Sequence, residues 1–166
     1  MFSNEELSPE TRAELAERGV PEEHLGIFGH HGLGTLIPKL DIRFHEFTRE
    51  QVVASMPVEG NTQPAGLLHG GASAALLETV GSFAAALAAS SDQMALGTEL
   101  NITHLRPGSS GRVTATATPI KLGRTQCVHS IEIVGENGKT ISVGRMTNML
   151  VPRPPQAAAD SQLKAA

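Results

Sequence analysis

Gln63-Pro64-Ala65-Gly66-Leu67-Leu68-His69-Gly70-Gly71-Ala72-Ser73-Ala74-Ala75-Leu76-Leu77-Glu78-Thr79-Val80-Gly81-Ser82 is the stretch on which the fold turns. Its first part is a loop punctuated by Pro and Gly. Its second part opens a segment rich in Ala, Leu and Val that runs from Gly71 to about Ala89, and Ser90-Ser91-Asp92 closes it. That length and composition predict a long buried helix. A helix apolar on nearly every side has to be wrapped by a sheet or by a partner subunit. Ala and Gly at most of its positions let other backbones come close.

Working outward, the period changes from helical to two. Leu96 to His104, Arg112 to Leu122, Thr125 to Val134 and Thr140 to Val151 predict four antiparallel strands, separated by turns at Pro107 to Gly111, Gly123-Arg124 and Glu136-Asn137-Gly138. Pro119 sits late in its strand, which puts that strand at an edge or bulges it there. Before the helix, Leu40 to Phe47 alternates apolar and polar, and Gln51 to Val58 reads as its partner. Ser8-Pro9-Glu10 has the form of a helix start, with Gly19 as its stop. Gly26 to Ile37, with its four Gly and the pair His30-His31, reads as loop. The pattern is α+β, in the order β-β-α-β-β-β-β after a short N-terminal helix. It divides into an N-terminal extension (residues 1–36), a main domain (37–151) and a patternless Pro- and Ala-rich tail (152–166).

Composition narrows the function. The 166 residues suit one domain, with 40% hydrophobic and 18% charged side chains. A formal net charge of -4, five Phe and no Tyr or Trp argue against nucleic acid as a partner, because both the basic surface and the stacking platforms are missing. Cys127 is the one cysteine, so no intramolecular disulfide forms. The His residues are scattered, and no metal site or other cofactor is expected. The start MFSNEELSPE has no signal-peptide pattern, and the longest apolar run, Ala84 to Ala89, is too short to cross a bilayer. A cytoplasmic protein with no membrane partner is the expectation.

Glu78 is the residue to explain. Burying a lone carboxylate is costly unless it is paired or hydrogen-bonded. It either lies on a solvated stripe with Ser73, Thr79 and Ser82, or it works with the helix start. At that start, free N–H groups and the positive end of the helix dipole favour a developing negative oxygen, and Gly70 lets a carbonyl approach. A carboxylate and an oxyanion hole are two of the parts that acyl transfer needs, with Gln63 or His69 available to position the carbonyl. Along one helix, however, Gly70 and Glu78 lie about 12 Å apart at 1.5 Å per residue. They meet at one carbonyl only if two such helices lie antiparallel across a two-fold axis. Ser82, one turn past Glu78, either holds the carboxylate or the attacking water, or is only a small packing residue.

The segment Gln63 to Ser82, with Gly97-Thr98-Glu99-Leu100-Asn101-Ile102-Thr103-His104 and Leu122-Gly123-Arg124, resembles the hotdog-fold acyl-CoA thioesterases, over about Gly60 to Val151. The likeness is to the branch that holds the 1,4-dihydroxy-2-naphthoyl-CoA and enterobactin-proofreading thioesterases, with the 4-hydroxybenzoyl-CoA and phenylacetate-pathway thioesterases more distant. The resemblance implies a long central helix wrapped by an antiparallel sheet, a homodimer that completes the site, often as a dimer of dimers (a homotetramer), and an acyl-CoA substrate. It implies Glu78 as nucleophile or general base, Gly70 as oxyanion donor, Gln63 and His69 orienting or polarising the thioester, and Ser82 assisting water attack. Gly97, His104, Leu105, Arg106, Lys121, Gly123 and Arg124 fall where that branch contacts the acyl group or CoA. By their chemistry alone, Lys121 and Arg124 are either phosphate partners or solvated turn residues.

Other readings have less support. A hotdog hydratase or dehydratase pairs His with an acidic residue in motifs not found here. A lipase-like hydrolase needs a Gly-x-Ser-x-Gly elbow, which the chain lacks. A non-catalytic acyl-CoA sensor would lead if Glu78 were Ala or Gln.

Overall fold

A computed structural model describes residues 7–28 and 32–153; the His30-His31 pair and residues 154–166 of the tail lie outside them. Helix α1 (Pro9–Glu17) starts where Ser8 accepts a hydrogen bond from the Thr11 N–H at 3.1 Å, with Pro at the first helical position. A short helix α2 (Leu36–Lys39) precedes strands β1 (Arg43–Phe47) and β2 (Val52–Pro57). Helix α3 (Gly70–Ala88) follows, then β3 (Gln93–His104), β4 (Arg112–Leu122), β5 (Gln126–Gly135) and β6 (Thr140–Pro152).

The six strands form one antiparallel sheet in the order β1-β2-β4-β5-β6-β3. It wraps α3, which packs on every strand from β2 to β6. Leu76, Leu77, Val80 and Ala84 share one buried core there with Val52, Ala54, Met56, Ala115, Ile131, Ile133 and Met146, and Ala85 packs with Cys127 and Leu150. At 19 residues α3 is long and apolar enough to pass as a membrane span by length and composition, contrary to the expectation drawn from the longest apolar run. Its packing against the sheet accounts for that apolarity.

The structure corrects three local expectations. Leu40-Asp41 is not strand: Leu40 caps α2, Asp41 takes a left-handed conformation (φ 47°), and the strand starts at Arg43. Asp41 is held there by Arg18, Arg43 and Arg112. Desolvation pulls its carboxyl upward, but the hydrogen bonds and charges of Arg112 and Arg43 together outweigh it and keep the group below the usual carboxylate range. The stretch expected as loop, Gly26 to Ile37, begins in the end of a 3-10 turn (Glu22–Ile27) and finishes in the first residues of α2. The last strand reaches Pro152, one residue into the expected tail. Pro119 does lie at a bulge, in a strand hydrogen-bonded on both sides. The N-terminal residues Leu15, Leu25, Phe28 and Leu33 share one apolar core with the sheet and α3, and Phe28 packs on Phe83 of α3 with ring centroids 5.1 Å apart.

Candidate active site

On α3 the side turned away from the sheet carries Gly71, Ala75, Glu78 and Ser82, one turn apart. Glu78 is exposed in the protomer, so the cost of burying a lone carboxylate does not arise within one chain. Ser82 Oγ donates to Glu78 Oε1 at 2.8 Å and also lies 3.8 Å from Met146 Sδ. Beside this stripe runs β3. The register pairs Gly97 with Asn148, Leu100 with Met146 and His104 with Ser142, and those three β6 residues are buried under α3. Gly97, Leu100 and His104 therefore face the open side of the helix in that order, from the Glu78 end towards the Gly70 end.

The helix start is built by a tight loop. Gly66 (φ 74°) donates its N–H to the Gln63 carbonyl, Gln63 donates to the Leu67 carbonyl, and Thr62 bridges Leu68. His69 is the N-cap: its Nδ1 accepts the Gly71 N–H at 2.8 Å. That bond occupies Nδ1 and leaves Nε2 to face outward. The Gly70 N–H donates to no acceptor among the described residues. A Cβ on Gly70 would stand 2.8 Å from His104 Nε2, so any side chain here would push the His104 ring aside. His104 is fixed in turn by Ser142 Oγ, 3.0 Å from its Nδ1. Gln63, Leu68, Gly70, His104, Leu105 and Arg106 line a cleft of about 400 Å³.

The expected site residues thus fall into two groups on one chain. Gln63, Gly70, His104, Leu105 and Arg106 gather at the start of α3, with His69 capping it. Glu78, Ser82 and Gly97 meet halfway along it, where Gly97 approaches Glu78 Oε1 within 3.8 Å of its would-be Cβ. Lys121 near the end of β4, with Gly123 and Arg124 of the β4–β5 turn, lies at the other end of the sheet, tied to the start of β3 by a hydrogen bond from Gln93 to the Arg124 carbonyl. Among the described residues no three His, Cys, Asp or Glu side chains gather as a metal site would require. Sequence reasoning missed Ser142, Met146 and Asn148, which touch these groups from β6. The signal for the two polar residues was present: Asn148 lies on the buried phase of a strand whose other members are Met146 and Leu150, and Ser142 follows buried Ile141.

A long helix wrapped by one antiparallel sheet, with a glycine helix start and a carboxylate on its open side, defines a hotdog-fold hydrolase. The family model of the thioesterase superfamily matches residues 65–142. The 1,4-dihydroxy-2-naphthoyl-CoA hydrolase of Escherichia coli is 40% identical over 121 residues, which cover 72% of this chain and 89% of that protein. A thioesterase of Pseudomonas aeruginosa, solved as a Gln→Ala variant, matches with a TM-score of 0.71 and 38% identity over 87% of this chain and 93% of its own. A Staphylococcus aureus relative (TM-score 0.69, 36% identity, 72% of this chain and 100% of that one) is solved with a glutamate replaced by alanine. The same relative is solved with a glutamine replaced, and the two positions have the separation of Gln63 and Glu78 here. This chain belongs to the thioesterase superfamily.

Proposed function

We propose that this protein hydrolyses an acyl-CoA thioester, with an aryl or hydroxyaryl acyl group, in a site shared between two protomers. The observation that carries the reading is the division of the site residues along α3. The N–H able to hold an oxyanion and the carboxylate able to start hydrolysis belong to one helix but stand about 12 Å apart. An antiparallel partner helix brings the Gly70 N–H of one protomer beside Glu78 of the other. The small side chains on the open stripe of α3 and the free edge of β3, where Leu100 is 38% exposed, support such a pairing. On the outer face of the sheet Leu96, Val143 and Met149 are exposed and support a second contact, as in a dimer of dimers.

In this reading the thioester carbonyl oxygen points at Gly70, with Gln63 and His104 beside it. Glu78 then either attacks the carbonyl carbon to give a mixed anhydride or takes a proton from the water that does. Ser82, donating to Oε1, fixes which carboxylate oxygen remains free. Arg106, Lys121 and Arg124 are exposed cations suited to the phosphates of CoA. The hydroxyaryl preference is supported by the name of the Escherichia coli relative. Its test is thiol release from a panel of aryl, hydroxyaryl and fatty acyl-CoAs, comparing the wild type with Glu78→Ala. Loss of a general base predicts a ~10²- to 10⁴-fold fall in turnover with the fold intact. Unchanged turnover in the variant, or no turnover of any thioester, overturns the reading; the latter favours an acyl-CoA binding role.

A further inference from the structure

Ser73 stands one turn past Gly70 on α3, and only 2% of it is exposed. The other buried hydroxyls among the described residues are spent: Ser55 pairs with His45 and Arg112, Thr79 donates to the Ala75 carbonyl one turn back, and Ser142 pairs with His104. Ser73 does not make the equivalent bond to the His69 carbonyl. Its Oγ has no partner among the described residues, yet unlike the amide of Asn148 it is not sealed from solvent. An unpaired buried polar group is costly, and in a native fold it calls for a role. This one opens on the cleft of about 400 Å³ at the helix start, which Ser73 lines together with Gly70. Leu67, Leu68, Leu105, Pro107 and Ile141 make the apolar wall of that cleft, and its other polar side chains, Gln63, His104 and Arg106, are half-buried or exposed. Ser73 is thus the one buried polar side chain in an apolar hollow, the arrangement by which pockets orient and select a ligand.

The helix sets what that hydroxyl can reach. The Gly70 N–H points out of the helix start, whereas three residues of rise carry Ser73 about 4.5 Å the other way along the axis. Ser73 therefore addresses the acyl group and not the reacting oxygen. On an aroyl thioester an ortho substituent lies beside the carbonyl oxygen itself, and only a meta or para substituent lies far enough from it to meet Ser73. We propose that Ser73 is a specificity residue whose Oγ exchanges a hydrogen bond with a hydroxyl at the meta or para position of the acyl ring. The inference rests on the proposed function and narrows its substrate to an aroyl thioester hydroxylated on the edge remote from the sulfur. A hydroxyl both donates and accepts, so Ser73 pairs with such a substituent in either sense. A bare ring shuts solvent away from Ser73 and returns no bond, so the site disfavours it.

Thiol release from benzoyl-CoA and its 2-, 3- and 4-hydroxy derivatives, in the wild type and in Ser73→Ala, tests this. In the wild type kcat/KM is expected to be about 10- to 100-fold higher for the 3- or 4-hydroxy substrate than for benzoyl-CoA. Ser73→Ala brings that ratio down to about one, with the loss falling on the hydroxylated substrate, whereas a packing defect would lower all four alike. Ala is a strong helix former and the hydroxyl it deletes is unpaired, so Tm holds or rises. The pantetheine arm of CoA also carries a hydroxyl and amides, and N-acetylcysteamine thioesters of the same acids, which lack most of that arm, separate the two sources. The effect of Ser73→Ala persists on them if the ring is read; its disappearance means that the arm is read and overturns the assignment. A preference for the 2-hydroxy isomer alone overturns it too. The same ratio in wild type and Ser73→Ala, alongside an inactive Glu78→Ala, overturns the role of Ser73 and leaves the proposed function standing. Full turnover in Glu78→Ala instead overturns the function on which it rests.

Discussion

The start of α3 and its middle are built from opposite materials. At the start, the Gly70 N–H has no acceptor among the described residues, His104 is held against the glycine by Ser142, and the carboxylate is absent. In the middle, Glu78 and Ser82 form a hydrogen-bonded acid and hydroxyl above a buried polar layer, and no free backbone donor exists, because every N–H there is spent within the helix. One end can hold a negative oxygen but cannot activate a nucleophile, and the other can do the reverse. In the proposed function a single chain therefore carries two half-sites, and the small-residue stripe between them is the surface that a second copy would cover.

The largest effect that could break this contrast is at Gly70. Gly70→Pro removes the N–H while keeping a helix start, since Pro suits the first helical position and His69 (φ -70°, ψ 130°) already has the backbone that a following Pro requires. Gly70→Ala is the control, because its Cβ meets His104 as the proline ring would. Loss of one oxyanion donor predicts kcat about 10²- to 10³-fold lower in Gly70→Pro than in Gly70→Ala, measured by thiol release. Equal rates in the two variants would show that this N–H holds no oxyanion.

A smaller effect sharpens the account of the other end. His129 lies fully buried on the sheet face under α3, paired in register with Met146, and burial pushes its imidazole below the ordinary histidine value. The folded protein keeps it neutral, whereas the unfolded chain takes up a proton below about pH 6.5. The stability that His129 contributes is thus complete above that pH and is lost as pH falls towards the depressed folded value. Tm of the wild type should decline on acidification below about pH 6.5, and His129→Leu should decline less. Parallel curves for the two proteins would place the titrating groups elsewhere.

Much of this architecture is legible in the chain, for physical reasons that differ by element. The start of α3 declares itself because loop glycines and a histidine cap give way at once to an apolar run, and β3 to β6 show period two between strong turns. The strand from Leu40 misled because its alternation is real but Asp41 is diverted by neighbouring Arg43 together with Arg18 and Arg112, which are distant in sequence. Pairing order was not legible: β3 lies at the edge beside β6, not beside β4, because α3 enters the curl of the sheet and the chain must pass around it. The division of the site followed from helix rise alone. Asn148 and His129 were overlooked because an isolated polar residue on a buried phase is visible only once the phase of each strand is known.

The central claim is that each site takes Glu78 from one protomer and the oxyanion end from its partner, and subunit complementation tests it most directly. Glu78→Ala and Gln63→Ala disable opposite ends, and relatives of the same fold have been solved with a glutamine or a glutamate replaced by alanine. Each variant alone is expected to be nearly inactive. Unfolded together and refolded as an equal mixture, half the dimers carry one copy of each, and in each of these one site holds both substitutions and the other holds neither. Recovery to about a quarter of wild-type activity is the predicted result. A mixture no more active than the mean of its two parents would contradict a shared site.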